Sequence, residues 1–239
     1  MRIAAIGDVH LGTESSGLLR PELRDLPERA DALLLAGDLT EHGSMDEARV
    51  VAAEFADLGV PVIAVLGNHD YHGDNEDAIA KLLRDHGITV LEGTGVTLEL
   101  DDGSLGVAGT KGFGGGFAGR CAGIFGERLM REFAGHTVDL AESLGSALAE
   151  LSADFTIALT HYSPVTETLL GEPAELYPFL GSYLLGEAID EYGADLALHG
   201  HAHAGSEHGK TPGGVPVRNV AGPVIRAAYR VYELQPAAA

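Results

Sequence analysis

The chain of 239 residues contains one cysteine, no tryptophan and three lysines (Lys81, Lys111 and Lys210) against 36 Asp and Glu. With Cys121 alone, an intramolecular disulfide and a thiolate-rich metal site are excluded, so a bound metal must use nitrogen and oxygen ligands. No apolar run approaches the roughly 20 residues that span a bilayer. Arg2 to Gly7 reads as a strand at once, leaving no room for a signal peptide, so the expectation is a cytoplasmic protein with no membrane partner. Basic residues are scarce, and the formal charge of -21 opposes long-range attraction to a nucleic acid polymer and favours a small soluble partner. The Gly-x-Ser-x-Gly elbow of serine hydrolases is missing, which leaves serine nucleophilic catalysis without support. The length and the 45% apolar content suit one domain over residues 1–235 with a frayed Pro-Ala tail over 236–239. The sequence leaves the oligomeric state open, a homo-oligomer included.

What is present is a rhythm of short apolar runs, each ending in Gly or a polar cluster. Ile3 to Ile6, Ala32 to Ala36 and Val62 to Leu66 read as strands buried on both faces. Helices alternate with them. Ser44 and Glu47 form a capping-box pattern ahead of a helix to about Leu58, and a second helix spans Asn75 to His86. The order argues for an α/β fold with a parallel or mixed sheet. Val96 to Leu100 and Leu105 to Ala108 then alternate around Asp101-Asp102-Gly103 as a hairpin. A helical stretch follows from about Phe125 to Glu150, then strands at Thr156 to Leu159 and Asp195 to Leu198. Val217 to Val220 and Val224 to Leu234 read as a closing antiparallel pair.

The polar clusters that follow these runs are Asp8-Val9-His10, Gly37-Asp38, Gly67-Asn68-His69-Asp70, His161 and Gly200-His201-Ala202-His203. Strand ends of an α/β sheet deliver loops to one crevice, which is how distant residues can share a metal. On an extended segment, residues one apart point the same way, so Asp8 with His10 and His201 with His203 could each present two ligands to one site. Imidazole and carboxylate without thiolate suit Mn, Fe, Zn, Ni or Co. Two such ions roughly 3.5–4 Å apart would clamp a phosphoryl group and generate a hydroxide nucleophile.

As an ordered set over residues 3 to 203, these clusters resemble the signature of calcineurin-like metallophosphoesterases. The resemblance implies two stacked mixed β-sheets flanked by helices, a four-layer α/β/β/α sandwich, and two divalent transition-metal ions. Position by position it implies that Asp8, His10, Asp38 and His203 hold one ion and that Asp38, Asn68, His161 and His201 hold the other. Asp38 would bridge them. It also implies that His69 protonates the leaving alkoxide and that Asp70 orients the His69 imidazole. Gly37-Asp38-Leu39-Thr40-Glu41 and the terminal Asp70 depart from the protein-phosphatase pattern and point to the bacterial phosphodiesterase-like branch. The implied activity is hydrolysis of a small phosphodiester, with a phosphomonoesterase and a non-catalytic protein-binding scaffold of the same fold as alternatives.

His42 and His72 lie just beyond ligand loops, where a substrate would sit, while the remaining histidines, His199 among them, read as surface or turn residues. Lys111 and Arg120 flank the Gly-rich loop 112–119 and could reach over the pocket to a substrate phosphate. Gly114-x-Gly116-x-x-Gly119 matches a dinucleotide fingerprint, but Cys121-Ala122-Gly123 prolongs the loop where a helix should open, so a flexible loop is expected. Pro212-Gly213-Gly214 likewise makes Ala204 to Thr211 a turn rather than a phosphate loop.

Overall fold

The computed structural model describes residues 1–235; the expected tail, 236–239, lies outside the described residues. Its strands are β1 (Arg2–Ile6), β2 (Ala32–Ala36), β3 (Val62–Val65), β4 (Ile88–Val90), β5 (Thr94–Leu100), β6 (Gly103–Thr110), β7 (Gly116–Phe117), β8 (Arg120–Cys121), β9 (Phe155–Thr160), β10 (Leu196–His199), β11 (His208–Lys210), β12 (Pro216–Asn219) and β13 (Arg230–Glu233). The helices are α1 (Leu26–Arg29), α2 (Met45–Phe55), α3 (Glu76–Asp85), α4 (Arg128–Glu150), α5 (Tyr177–Leu180), α6 (Tyr183–Tyr192) and α7 (Gly222–Ile225).

One sheet runs β13-β1-β2-β3-β4 and the other β11-β12-β10-β9-β6-β5. Strands β1 to β4 are parallel, as are β6, β9, β10 and β12. The outer strands β13, β5 and β11 are antiparallel to their neighbours. Side chains alternate across each strand, so Ile3, Ala5, Leu34 and Ile63 meet Val107, Ile157, Leu159 and Leu198 between the sheets. Ala4, Ile6, Leu33 and Leu35 face Val51, Phe55 and Leu83 of α2 and α3. On the far side, the small residues Ala108, Ala158 and Ala197 leave room for Leu144 and Leu148 of α4 and Leu185 and Ile189 of α6. Helix, sheet, sheet and helix stack as four layers because every central strand has an apolar face on each side.

The capping box is present: the Ser44 hydroxyl accepts the Glu47 N–H at 3.3 Å, and Glu47 accepts the Ser44 N–H at 3.0 Å. Two expectations need correction. β12 and β13 are not a pair; β12 joins β10 and β11 in one sheet, and β13 lies against β1 in the other. Helix α7, with Pro223 in its first turn and Arg226 left-handed at its end, lies between them. The segment expected as a turn contains β11, whose edge position tolerates its polar side chains.

Candidate metal centre

All five clusters sit at the carboxyl ends of parallel strands, β1, β2, β3, β9 and β10. The two sheets are stitched together there, with the Gly7 N–H donating to Val220 O and the Gly222 N–H to Gly7 O, both at 2.9 Å. Asp8, His10, Asp38 and His201 have φ of 57°, 42°, 50° and 69°. Non-glycine residues avoid this left-handed region at a cost of about 1–2 kcal/mol each, and such strain gathers where function requires a particular aim. The same-side argument for Asp8 and His10 therefore fails in its premise, since neither backbone is extended; the side chains converge because the chain curls. His201 and His203 diverge, one to each half of the site.

The acceptor groups form overlapping triads, Asp8–His10–His203, His10–Asp38–His69 and Asp38–His161–His201, with atoms in each within 4.8 Å of one another. Asp8 and Asp38 form the floor, with side chains 0% and 2% exposed, while the rings of His10, His69 and His203 stand 23%, 33% and 44% exposed at the mouth. The Nδ1–H of His161 donates to Ala36 O at 2.9 Å, which directs Nε2 inward, 3.0 Å from Asn68 Oδ1 and 3.3 Å from Asp38 Oδ1. With the proton on Nδ1, that Nε2 lone pair faces the Asp38 carboxylate with no hydrogen between them. Nε2 of His10 and His203 approach to 3.5 Å, and His203 Nε2 lies 2.9 Å from Asp8 Oδ1. Converging lone pairs of this kind fit a cation.

For three of the four histidine rings the electrostatics agree. Burial lowers His10 to about 4 and His201 to about 3, and holds His161 well below the usual imidazole value. These rings are therefore neutral at physiological pH, the form that ligates metal. Burial raises the Asp8 carboxyl to about 6, whereas its hydrogen bond raises His203.

Two motif glycines permit this crowding. A Cβ on Gly67 would collide with the backbone nitrogen and Oδ1 of Asp38, and one on Gly37 (φ +82°) would lie 2.6 Å from the His161 ring.

Asp70 does not do what was expected of it. Its buried carboxylate accepts the N–H groups of Gly67 (2.8 Å), Leu39 (3.1 Å) and Thr40 (2.8 Å) and the Thr40 hydroxyl (2.6 Å). Its oxygens are thus engaged in bolting the Asp38 loop to the Asn68 loop. The His69 ring is held instead by Glu41, whose carbonyl accepts Nδ1–H at 2.7 Å. His72 stacks 4.3 Å from His69 and lies at the mouth. His42 is 68% exposed and turned to Glu47, 3.3 Å away, so it extends the α2 cap rather than the site.

Lys111 and Arg120 are parted. Lys111 is buried beneath aromatic rings. Arg120 is exposed on β8 and lines a groove with Phe117, Leu170 and Tyr177 that contains none of the clusters. Between them the Gly-rich loop is tied down, the Gly115 N–H donating to Pro178 O at 2.7 Å and the Gly116 N–H to Gly181 O at 2.9 Å. His199, read as a surface or turn residue, is fully buried at the end of β10. Its Nδ1–H donates to Gly200 O at 2.7 Å and its Nε2 accepts the Thr168 hydroxyl at 2.8 Å. The apolar run preceding it was the available signal for its burial.

Fold and site define a metallophosphoesterase-type sandwich. The chain belongs to the calcineurin-like phosphoesterases, whose family model matches residues 1–205. Its structure is similar to that of the phosphopantetheinyl hydrolase of Mycobacterium tuberculosis, with a TM-score of 0.70 and 15% identity over 99% of this chain and 97% of that one. It is also similar to GAP50, the anchor in the inner membrane complex of Plasmodium, with a TM-score of 0.54 and 14% identity over 93% and 72% of the two chains. A third similar structure is TT1561 of Thermus thermophilus, with a TM-score of 0.50 and 17% identity over 91% and 88%. At such identities the likeness is one of fold. No curated protein matches the chain in sequence. Among the described residues no helix is long and apolar enough to cross a membrane.

Proposed function

We propose that this chain is a dinuclear metal-dependent phosphoester hydrolase acting in the cytoplasm on a small soluble phosphodiester. The reading rests on Asp38, whose two oxygens serve neighbouring triads at once. Asp8, His10, Asp38 and His203 would hold one ion, and Asp38, Asn68, His161 and His201 the other. Two such ions, of Mn, Fe, Zn, Ni or Co, supply Lewis-acid polarisation of the phosphoryl group and activation of water.

The protein's own part is placement and proton transfer. With Nδ1–H fixed on Glu41 O, His69 presents Nε2 to the site, 4.0 Å from Asp38 Oδ2. That nitrogen would carry the proton for the departing oxygen. His72 beside it would line the path of the leaving group. A small substrate suits an acidic protein, because the cations rather than the surface attract the phosphate.

Metal-free protein should hydrolyse neither bis-p-nitrophenyl phosphate nor p-nitrophenyl phosphate, and Mn2+ should restore activity, with the diester preferred. Full turnover without metal would overturn the reading. Faster monoester cleavage would move the assignment to a phosphomonoesterase. A non-catalytic scaffold of this fold would show no turnover with any metal.

A further inference from the structure

Lys111 directly follows β6 and is 6% exposed. Its Nζ lies 4.8 Å from the centre of the Tyr71 ring, 5.0 Å from Phe113 and 5.4 Å from Tyr162, and donates to Gly112 O at 3.2 Å. An ammonium over ring faces is held by the ring quadrupole, most strongly when water is excluded. Burial disfavours the charge, and the nearby Glu92, Asp38 and Glu76 favour it.

The rings come from separate parts of the site. Tyr71 closes the turn that carries Asn68. Tyr162 follows His161, and its ring stacks 4.3 Å from that of His201. The carbonyl of Lys111 accepts the N–H groups of both His161 (3.0 Å) and Tyr162 (3.1 Å). One residue thus touches the supports of Asn68, His161 and His201, whereas Asp8 and His203 bond to each other and Asp8 to the His201 backbone.

We propose that Lys111 is a positioning residue for one half of the metal centre: its ammonium, through the Tyr71 and Tyr162 rings, clamps Asn68 and His201 in ligand geometry beside the His161 that its carbonyl holds, so that removing the ammonium weakens the ion there and spares the ion at Asp8, His10 and His203. This rests on the two-ion reading above. It replaces the expectation that Lys111 grips substrate phosphate, because the ammonium is buried among three rings and bonded to Gly112 O.

The test is calorimetric titration of metal-free protein with Mn2+. A His203→Ala background weakens the Asp8 side and leaves the Asn68 side to be read, and a His161→Ala background does the reverse. Supporting groups behind metal ligands are typically worth about 10–100-fold in affinity, and Lys111→Met should weaken Mn2+ by that factor in the first background and by less than about threefold in the second. Equal weakening in both, or none in the first, overturns the clamp. Tyr71→Leu removes one wall while keeping the ammonium and should weaken the same ion, so it decides the matter if Lys111→Met does not fold. A parent protein that binds fewer than two Mn2+ overturns the two-ion reading and the inference with it. Two ions in the parent without selectivity in the variants overturns the clamp alone.

Discussion

Replacing Asp70 by Asn should destabilise the fold rather than merely misdirect His69. One carboxylate oxygen accepts from Thr40 N and Thr40 Oγ1, the other from Gly67 N at 2.8 Å, and the Leu39 N–H is shared between them at 3.1 and 3.2 Å. An amide can satisfy only one side. With Oδ1 kept on Thr40, the new NH2 group meets the Gly67 N–H donor to donor, leaving a buried N–H without an acceptor. Each such orphan costs about 1–3 kcal/mol, and the amide hydrogens add a comparable amount. Relief of burying a carboxylate offsets part of this. The net loss is roughly 2–4 kcal/mol, which at about 2–4 °C per kcal/mol for a chain of this size lowers Tm by roughly 4–16 °C. Thermal unfolding of metal-free parent and variant, followed by circular dichroism, measures it. A variant that melts within about 1 °C of the parent while losing kcat would refute the bolt and return Asp70 to the orientation of His69.

Three further outcomes follow from the same geometry. His69→Ala should keep its metal content and lose about 10²–10⁴-fold in kcat on alkyl esters, with less loss on nitrophenyl esters whose leaving group needs little protonation; loss of both metals would remove His69 from the proton-transfer role. Gly67→Ala should cost metal binding, measured by equilibrium dialysis, because its Cβ occupies the space of Asp38 Oδ1; a variant with the parent's metal content would show that the loop can move aside. His199, held neutral by burial at about 4, binds a proton in the unfolded chain below about 6.5 but not in the folded one, so its contribution is present above that pH and lost as pH falls towards 4, amounting to about 3 kcal/mol. The Tm of metal-free His199→Gln should accordingly fall less steeply than the parent's on acidification across that window, and parallel curves would refute the assignment.

The sequence by itself determined the central strands, helices α2, α3 and α4 and the polar clusters that end those strands, whereas β4, α6 and the edge strand β11 carried no signal of comparable strength. Continuous apolar runs such as Ala32–Ala36 state that both faces are buried, Ser44 and Glu47 encode a local cap, and the ligand candidates follow strand ends, where parallel topology must bring them together. These signals lie within a few residues of one another, so they survive without knowledge of the fold. The sheets that β12 and β13 join, the duties of Asp70 and the placing of Lys111 and Arg120 depend on partners that only the fold brings near, as in the pairing of Arg230 with Ala5 and the Asp70 contact with Thr40, 30 residues distant. A carboxylate beside a histidine looks like its orienting partner until the backbone shows where the unsatisfied N–H groups point. A lysine in an acidic chain looks like a phosphate ligand until three rings close around it. Residue type and spacing set what chemistry is on offer, and the tertiary structure decides which atoms face which, because hydrogen bonds and ring contacts act only over a few ångströms and depend on angle.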